Sequence, residues 1–287
     1  MTDDDPLARF EAHRPRLFGI AYRMLGSAAD ADDVLQEARV RWLAADRAAV
    51  RDARGFLVTM VSRLALDQLG SARARREAYV GPWLPEPIAT APSADLHDLS
   101  LAFLRLLERL SPAERAAFLL AEVFDYSHAE VAAILGKSEE ACRQLAARAR
   151  RAVRDGRPRP VDAAAHARVL AAFAATCASG DVAALERLLA ADAACVSDGG
   201  GRARAARNVV TGANAVARLL IGLARKGAAA TTVELGAVNG EPALVVRDAA
   251  GLHSVATLDV IDGQIATVCI VRNPDKLTGL GTPRALA

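Results

Sequence analysis

Close cysteine pairs, net charge and long apolar runs are all scarce or missing in this sequence, and each absence excludes a class of protein. The four cysteines are widely scattered, without a close pair of the kind that metal sites use. We therefore expect reduced thiols, no metal or other cofactor, and a cytosolic location. The net charge is only +2, so any surface for nucleic acid must come from local clusters of cations.

The N-terminus from Met1 to Pro6 is acidic and has no apolar core, which argues against a secretory signal. No later segment has the uninterrupted apolar length of a membrane span, so we expect no membrane contact and a cytoplasmic protein. Apolar residues nevertheless make up 52% of the 287 residues. That length and content can supply the cores of two or three folded domains.

Two short helices joined by a tight turn are predicted between Ser127 and Arg154. Ser127 and Glu130 have the spacing of a capping box, which predicts the start of the first helix. Gly136 is placed to end that helix in a left-handed conformation, and Ser138 caps the second helix. This order indicates a helix-turn-helix unit, whose second helix contacts base edges in the major groove.

The second helix has a basic outer face. Between Ala141 and Pro160, seven arginines face a single acid, Asp155. Arg and Gln side chains suit guanine and adenine edges, but a solvated basic helix within a bundle remains an alternative on this stretch alone. The inner side is predicted to carry Cys142, Leu145, Ala149 and Val153, and the outer side Glu140, Arg143, Gln144, Ala147, Arg148 and Arg151.

The segment from Leu7 to Leu69 has a helical pattern almost throughout. Its second helix has aspartates in the first turn, where the helix dipole favours anions. A third helix is predicted from Phe56 to Leu69, directly before three arginines, Arg73, Arg75 and Arg76. In the second helix, Ala31, Leu35, Ala38 and Trp42 form an inward stripe, and Asp33, Gln36, Glu37, Val40 and Arg41 lie on the opposite side.

A proline-rich segment interrupts the helices. Tyr79 to Pro87 contains three prolines and cannot be a regular helix, and with Ile88 to Ala94 it is typical of a linker. Because linkers seldom carry Tyr, Trp and Leu, these side chains indicate that this one docks on a neighbouring surface, and a simple structural clamp would explain them equally well. Helices resume at Leu99 and include a second capping box that begins at Ser111.

After Pro160 the composition of the chain changes again. Helices are predicted at Ala163 to Ala178, Val182 to Ala190 and Ala213 to Arg225. Strands follow, with the turns Asn239-Gly240 and Asp262-Gly263 between them, so helices followed by an antiparallel meander predict an α+β domain. The four predicted strands are Thr231 to Leu235, Ala243 to Arg247, His253 to Ile261 and Ile265 to Val271.

The first two predicted domains together resemble the bacterial extracytoplasmic-function sigma factors, initiation subunits of RNA polymerase. The resemblance spans nearly all of residues 7 to 155. A C-terminal segment and the linker further resemble the sigma J type, which has a fused SnoaL-like domain. The residues that carry the resemblance are Leu17 to Leu25, Asp32 to Glu37 with Trp42, Gly55 to Asp67, Leu110 to Arg154, Tyr79 to Pro87, Asp198 to Gly201 and Asn273 to Leu277.

This resemblance implies a multidomain fold with two all-α sigma domains and an α+β cone domain of the NTF2 superfamily. Residues 1–78 would be region 2, which binds core polymerase and melts the promoter, and residues 99–156 region 4, which recognises the upstream element. Residues 165–287 would be the SnoaL-like domain, and the segments 79–98 and 157–164 would be linkers.

The resemblance also implies roles for individual residues. Asp33, Gln36, Glu37 and Arg41 would contact the largest catalytic subunit of core polymerase. Arg54, Arg63, Arg73, Arg75 and Arg76 would hold strand phosphates at the promoter bubble, although many members have Asn at the position of Arg63. The upstream element would be contacted by Ser138, Glu140, Arg143, Gln144, Arg148 and Arg151, with Arg143 and Gln144 the best candidates for base contacts.

The C-terminal domain leaves two interpretations open. An acid/base pair of His253 and Asp259 would share one strand face if the strand is unbroken, but six residues span about 20 Å, so His253 would need a partner such as Asp198 or Glu234. We favour a domain without catalytic activity that regulates in cis. Its contacts with the linker and first domain would use Tyr79, Trp83, Asp198, Gly199, Gly200, Asn273, Pro274, Asp275 and Lys276.

The implied partners are core polymerase and promoter DNA, with no separate anti-sigma factor required and a monomer when free. Two alternatives use the same helix-turn-helix: a conventional transcription regulator with a ligand-binding domain, and an active cyclase or isomerase tethered to DNA. The polar face of the helix from Asp32 to Trp42 argues against a simple regulator, which has no use for it.

Overall fold

The computed structural model describes residues 5–46, 50–90, 99–154, 163–227 and 230–281. They form two compact units. The helical unit takes its described residues from Met1–Glu77 and Leu106–Arg157, and the sheet unit from Ala78–Arg105 and Pro158–Arg284. The segment predicted to be a linker therefore belongs to the sheet unit. Within the described residues, no helix is both long and apolar enough to cross a bilayer.

Three helices begin the helical unit: α1 (Pro6–Leu25), α2 (Ala28–Ala44) and α3 (Ala53–Glu77). Gly26 ends α1 with φ of 67°, and the Ser27 hydroxyl caps α2 by accepting from the Asp30 N–H at 3.1 Å. The inward stripe predicted for α2 is buried. The helix α3 is longer than predicted, because the Ala- and Arg-rich residues after Leu69 are good helix formers.

The next four helices are α4 (Leu101–Leu107), α5 (Pro112–Phe118), α6 (His128–Leu135) and α7 (Glu139–Arg154). A π-helical turn, Leu119–Val123, extends α5. Both predicted capping boxes form, and Gly136 ends α6 with φ of 63°. The helix-turn-helix prediction is confirmed, with one correction: Ala146 takes the buried position that we assigned to Leu145, which is only half-buried.

Three helices and a six-stranded sheet form most of the sheet unit. The strand order is β2-β1-β6-β5-β4-β3. The sheet is mixed, because β1 is parallel to β6 while the other neighbouring pairs are antiparallel. The elements are α8 (Ala163–Ser179), α9 (Val182–Leu188), β1 (Leu189–Asp198), β2 (Val210–Thr211), α10 (Ala213–Gly227), β3 (Thr231–Val238), β4 (Glu241–Asp248), β5 (Gly251–Ile261) and β6 (Gln264–Val271).

The prediction of an α+β domain is confirmed, and the four predicted strands correspond to β3 to β6. Asn239-Gly240 and Asp262-Gly263 form the predicted hairpin turns, with positive φ at all four residues. The prediction missed β1 and β2, and because β1 pairs with β6 in parallel, the sheet is not a simple antiparallel meander. Five of the first six residues of β1 are Leu or Ala, which favour helices, and pairing with β6 overrides that local preference.

Both faces of the sheet pack on other elements, although the edge strand β3 is mostly exposed. One face packs on α8, α9 and α10, with Phe173, Leu185 and Val216 in the shared core. The opposite face, here called the linker face, is covered by Leu84 and Leu101 from the segment before and within α4. The predicted linker thus docks as expected, and it supplies part of a hydrophobic core.

Candidate functional site

The outward side of α2 combines polar and apolar groups in an exposed stripe. Exposed side chains on this side include Asp33, Gln36, Glu37 and Arg41, as their spacing along the helix predicted. Glu37 accepts from the Arg41 guanidinium at 2.7 Å, one turn along the helix. Val40 lies among them with 58% of its surface exposed. A stripe of this kind, an apolar centre with charges around it, has the composition of a protein-binding surface.

The recognition helix α7 presents its predicted outer face to solvent. The Ser138 hydroxyl caps its first turn, accepting from the Ala141 N–H at 3.2 Å. Arg143, Gln144, Arg148 and Arg151 are exposed, as is Glu140.

Acidic side chains hold several cations of α7. Arg143 donates to Glu139 at 2.7 Å, and Arg148 donates to Glu114 at 3.0 Å. Arg150 pairs with Glu122. Because these pairs are solvent-exposed, each contributes little stability, and a phosphate or a base edge can replace the carboxylate at low cost.

The arginines predicted for the promoter bubble lie along α3 in different environments. Arg54 and Arg63 are exposed, whereas Arg76 is half-buried and bonds to the Leu25 carbonyl and to Glu108. Arg76 is therefore occupied within the helical unit, and we remove it from the proposed phosphate-binding set. The side chains of Arg73 and Arg75 lie outside the described part of the structure.

A buried arginine, Arg115, also joins α5 to α1, which the sequence did not indicate. Arg115 is only 2% exposed and donates to the carbonyls of Met24 at 2.6 Å and Leu107 at 2.9 Å. It also pairs with Glu108 at 2.9 Å. Met24 lies in the last turn of α1, where backbone carbonyls lack helical partners, so the cation satisfies groups that would otherwise be unpaired.

In the sheet unit, a buried carboxylate fastens the start of the linker. Asp198, at the end of β1, is fully buried and accepts from the Tyr79 hydroxyl at 2.6 Å, the Leu84 N–H at 2.8 Å and the Lys276 ammonium at 2.7 Å. The Asn273 amide donates to the Tyr79 hydroxyl at 2.9 Å. We call Tyr79, Asp198, Asn273 and Lys276 the Asp198 clasp.

Aromatic rings of the linker surround the cation of the clasp. The Lys276 ammonium lies 4.1 Å from the centre of the Trp83 ring and 4.9 Å from that of Tyr79. It also donates to the Leu84 carbonyl at 2.5 Å. Burial raises the pKa of the Tyr79 hydroxyl, and its bond to Asp198 raises it further. These contacts compensate the buried ion pair for lost hydration.

Two glycines allow the clasp to close. A Cβ on Gly199 would lie 2.2 Å from the Ala203 carbonyl oxygen, and one on Gly200 would lie 2.3 Å from the Asn273 amide nitrogen. Asn273 also begins a 3-10 turn, Pro274–Lys276, by accepting from the Asp275 N–H at 3.1 Å. Of the residues that the resemblance assigned to linker contacts, the structure brings together Tyr79, Trp83, Asp198, Asn273 and Lys276. Asp275 instead pairs with Arg202 at the surface.

A second attachment, at Asn239, holds the middle of the linker and was missed by the sequence analysis. The Asn239 side chain accepts from the Ile88 N–H at 3.0 Å and donates to the Leu99 carbonyl at 2.8 Å. Its backbone N–H donates to the Ile88 carbonyl at 3.0 Å, and the next N–H, of Gly240, donates to the Thr90 hydroxyl at 2.6 Å. The Asn-Gly pair indicated only a turn, and nothing in it predicts a distant partner.

The residues considered for an acid/base pair have separate partners. The Arg272 guanidinium lies 2.8 Å from His253 Nε2, and Glu234 pairs with Arg247. Burial and Arg272 lower the pKa of His253. The shift in the β4–β5 register places an additional residue at His253, so the alternation that would align it with Asp259 is broken. Within the described residues, no hydrogen bond joins His253 to Asp259, Asp198 or Glu234.

Two carboxyl groups lie on adjacent strands of the linker face. Ala243 is opposite Thr257, and continuing that register by two residues places Glu241 opposite Asp259. Burial raises the pKa of Glu241 to about 8, with Asp259 adding to the effect. Burial also raises the pKa of Asp259 to about 6, against the opposing effect of Arg105. The raised pKa keeps Glu241 protonated near neutral pH, which limits its repulsion with the carboxylate of Asp259.

We expect this pair to make the sheet unit less stable as the pH rises. The pKa of Glu241 in the folded state lies above its ordinary value of 4.5. The protonated carboxyl therefore stabilises the folded state fully below pH 4.5. Between pH 4.5 and about 8 this stabilisation is lost, and the free energy of unfolding falls by at most about 1.4 kcal/mol per pH unit. Urea unfolding between pH 6 and 8, followed through Trp83 with Trp42→Phe as background, measures the slope.

Glu241→Gln should remove most of this slope, because the amide does not titrate. Glu234→Gln, at an exposed carboxylate on β3, is the matched control and should retain it. Equal slopes for Glu241→Gln and the background protein would contradict the assignment.

Comparison with known proteins agrees with this arrangement. Residues 9–75 match the family "Sigma-70 region 2", and residues 100–153 match "Sigma-70, region 4". The sigma factor SigJ of Mycobacterium tuberculosis is 38% identical over 95% of this chain and 93% of its own length, and SigI of that species is 34% identical over 98% of both chains. The crystal structure of SigJ has a TM-score of 0.78 and 36% identity, covering 96% of this chain and 99% of that one. The family resemblance is thus confirmed: the chain belongs to the extracytoplasmic-function RNA polymerase sigma factors, which direct transcription initiation by the core enzyme.

Proposed function

We propose that this sigma factor contains its own regulator, and that docking of the linker on the sheet unit restrains the two DNA-reading helical modules. The observation that carries the proposal is the Asp198 clasp, in which one buried carboxylate bonds to Tyr79, Leu84 and Lys276. Because the sheet unit has this role, no separate anti-sigma factor is required. The free protein acts as a monomer, and its C-terminal domain needs no catalytic activity.

The docked linker limits how far region 2 and region 4 can move apart. Residues 79–90 are held by the clasp at one end and by Asn239 at the other. Leu84 and Ile88 between them are fully buried. If undocked and extended, this segment would span up to about 40 Å. Undocking is therefore the step that supplies the length for region 2 and region 4 to separate on polymerase.

Tyr79→Phe tests this restraint without removing the buried ion pair. The variant loses the hydroxyl that donates to Asp198 and accepts from Asn273, so undocking becomes easier and we expect more transcript from a fixed amount of holoenzyme. Single-round transcription at saturating core polymerase measures the amount of transcript. Tyr126→Phe, in the helical unit, is the matched control. Unchanged output from Tyr79→Phe would contradict regulation through the clasp.

The exposed stripe of α2 is the proposed contact with the largest catalytic subunit of core polymerase. Val40 lies at the centre of this stripe, among Asp33, Gln36, Glu37 and Arg41. An aspartate in place of Val40 would be buried in the interface without a partner for its charge. We expect Val40→Asp to weaken core binding by about tenfold or more. Titration of labelled core polymerase measures the affinity. Val209→Asp, at an exposed valine of the sheet unit, should bind normally; an equal loss in both variants would contradict the assignment.

For promoter DNA, we propose that Arg54, Arg63, Arg73 and Arg75 hold strand phosphates near the bubble. Ser138, Glu140, Arg143, Gln144, Arg148 and Arg151 are proposed to contact the upstream element. The exposure of the described members of these sets supports the proposal, since a side chain that reaches DNA must be accessible.

A further inference from the structure

The first helix of the helix-turn-helix receives its C-terminal cap from another module. Arg63, in the middle of α3, donates from Nε to the Ile134 carbonyl at 2.8 Å and from Nη2 to the Ala133 carbonyl at 3.0 Å. The end of α6 leaves its last four carbonyls without helical N–H partners. Directly after α6, the N–H groups of Gly136 and Lys137 both donate to the Ala132 carbonyl. The guanidinium therefore satisfies two of the remaining carbonyls and places a cation at the negative end of the helix.

Arg63 differs from the other arginines that join these modules in its exposure. Arg115 and Arg23 are buried, and Arg16, which donates to the Phe124 carbonyl at 2.8 Å, is half-buried. Arg63 is exposed, so it is the member of this set that a DNA strand can reach without prior opening of the interface. It is also the position at which the resemblance places Asn in many family members.

A phosphate that approaches the Nε–Nη2 edge of Arg63 competes directly with the carbonyl groups for this side chain. The guanidinium has five donors in one rigid plane, and a phosphate engages two of them side by side. A full negative charge binds the cation more strongly than two neutral carbonyls do. The Nε–Nη2 edge cannot face the end of α6 and a phosphate at once, because both require the same direction of approach.

We propose that Arg63 is an exchangeable latch, which ties α3 to the end of α6 in the free protein and releases it when a strand phosphate takes over the guanidinium. Release loosens the turn at Gly136, directly before the recognition helix α7. The inference rests on the proposed contact of α3 with promoter DNA. It adds that one side chain links strand binding to freedom of the helix-turn-helix.

Hydrogen exchange on the full-length protein tests the latch in two steps. Without DNA, Arg63→Ala should speed exchange of the Gly136 and Lys137 amides by about tenfold, the loss expected from two charge-assisted bonds at an exposed site. Arg63→Lys retains the charge but not the planar fork, so it should show a smaller increase. Arg51→Ala removes an exposed arginine near the start of α3 and should show none. No difference between Arg63→Ala and Arg51→Ala would overturn the latch.

The second step adds single-stranded DNA of mixed sequence to the same proteins at low salt. In the unmodified chain, the strand should speed exchange of the same two amides, and in Arg63→Ala it should add nothing further. Strand binding that leaves their exchange unchanged in the unmodified chain would overturn the exchange mechanism alone. Absence of strand binding, by fluorescence anisotropy, would instead overturn the proposed role of α3, and the first step would still report on the contact itself.

Discussion

Replacing Asp198 with alanine is expected to destabilise the sheet unit by about 3–5 kcal/mol, because it leaves the Lys276 ammonium buried without its counter-ion. The carboxylate also accepts from the Tyr79 hydroxyl and the Leu84 N–H, and both donors would lose their acceptor. Urea unfolding followed through Trp83, with Trp42→Phe as background, measures the change. The two tryptophans lie in different units, so the signals separate.

Asp275→Ala is the matched control for this change. Asp275 lies one residue before Lys276, but its carboxylate is 58% exposed and pairs with Arg202 at 3.3 Å on the surface. Such exposed pairs contribute at most about 1 kcal/mol. A loss for Asp198→Ala no larger than that for Asp275→Ala would contradict the buried clasp.

Removing both charges provides a second check. Asp198→Ala with Lys276→Met replaces the ion pair by apolar groups, so no charge remains buried and unpaired. We expect this double variant to be more stable than Asp198→Ala alone, although it still lacks the acceptor for Tyr79. Equal stability would mean that desolvated charge is not the main cost.

The second large effect is expected at the recognition helix. Arg143→Ala should cost about 1–3 kcal/mol at one base pair of the promoter and relax discrimination there, because a bidentate base contact is lost. Arg151→Ala should weaken binding to all sequences and make the salt dependence shallower, as loss of a phosphate contact does. Binding of holoenzyme to promoters with single base-pair changes measures both.

Arg143 currently pairs with Glu139, one turn back along α7. That pair is exposed, so breaking it to reach a base costs little. Equal losses for Arg143→Ala and Arg151→Ala on every promoter variant would show that the base-reading side of α7 is misassigned.

Local sequence signals predicted those parts of the fold that depend on neighbouring residues. The helix-turn-helix follows from Ser127, Glu130 and Gly136, whose capping roles act within one or two turns. The turn at Asp262 was predictable for the same reason, since a two-residue hairpin needs positive φ. Structure set by local contacts can be read from local sequence.

Structure set by distant contacts could not be read in this way. The strand β1 is rich in alanine and is stabilised by pairing with β6, more than seventy residues later. Asn239 is hydrogen-bonded to Ile88, 151 residues away in the sequence, and Arg63 to Ile134, 71 residues away. The residues of the Asp198 clasp were predicted only through the family resemblance, because no spacing in the sequence connects Tyr79 with Asp198 or Lys276.

The most direct test of the account is transcription in vitro with core RNA polymerase, fragmented genomic DNA and the purified full-length chain. We predict discrete transcript 5′ ends that are absent with core enzyme alone, and more transcript from the same start sites with Tyr79→Phe. Failure of the chain to bind core polymerase, or the same pattern of 5′ ends with and without it, would contradict the central claim.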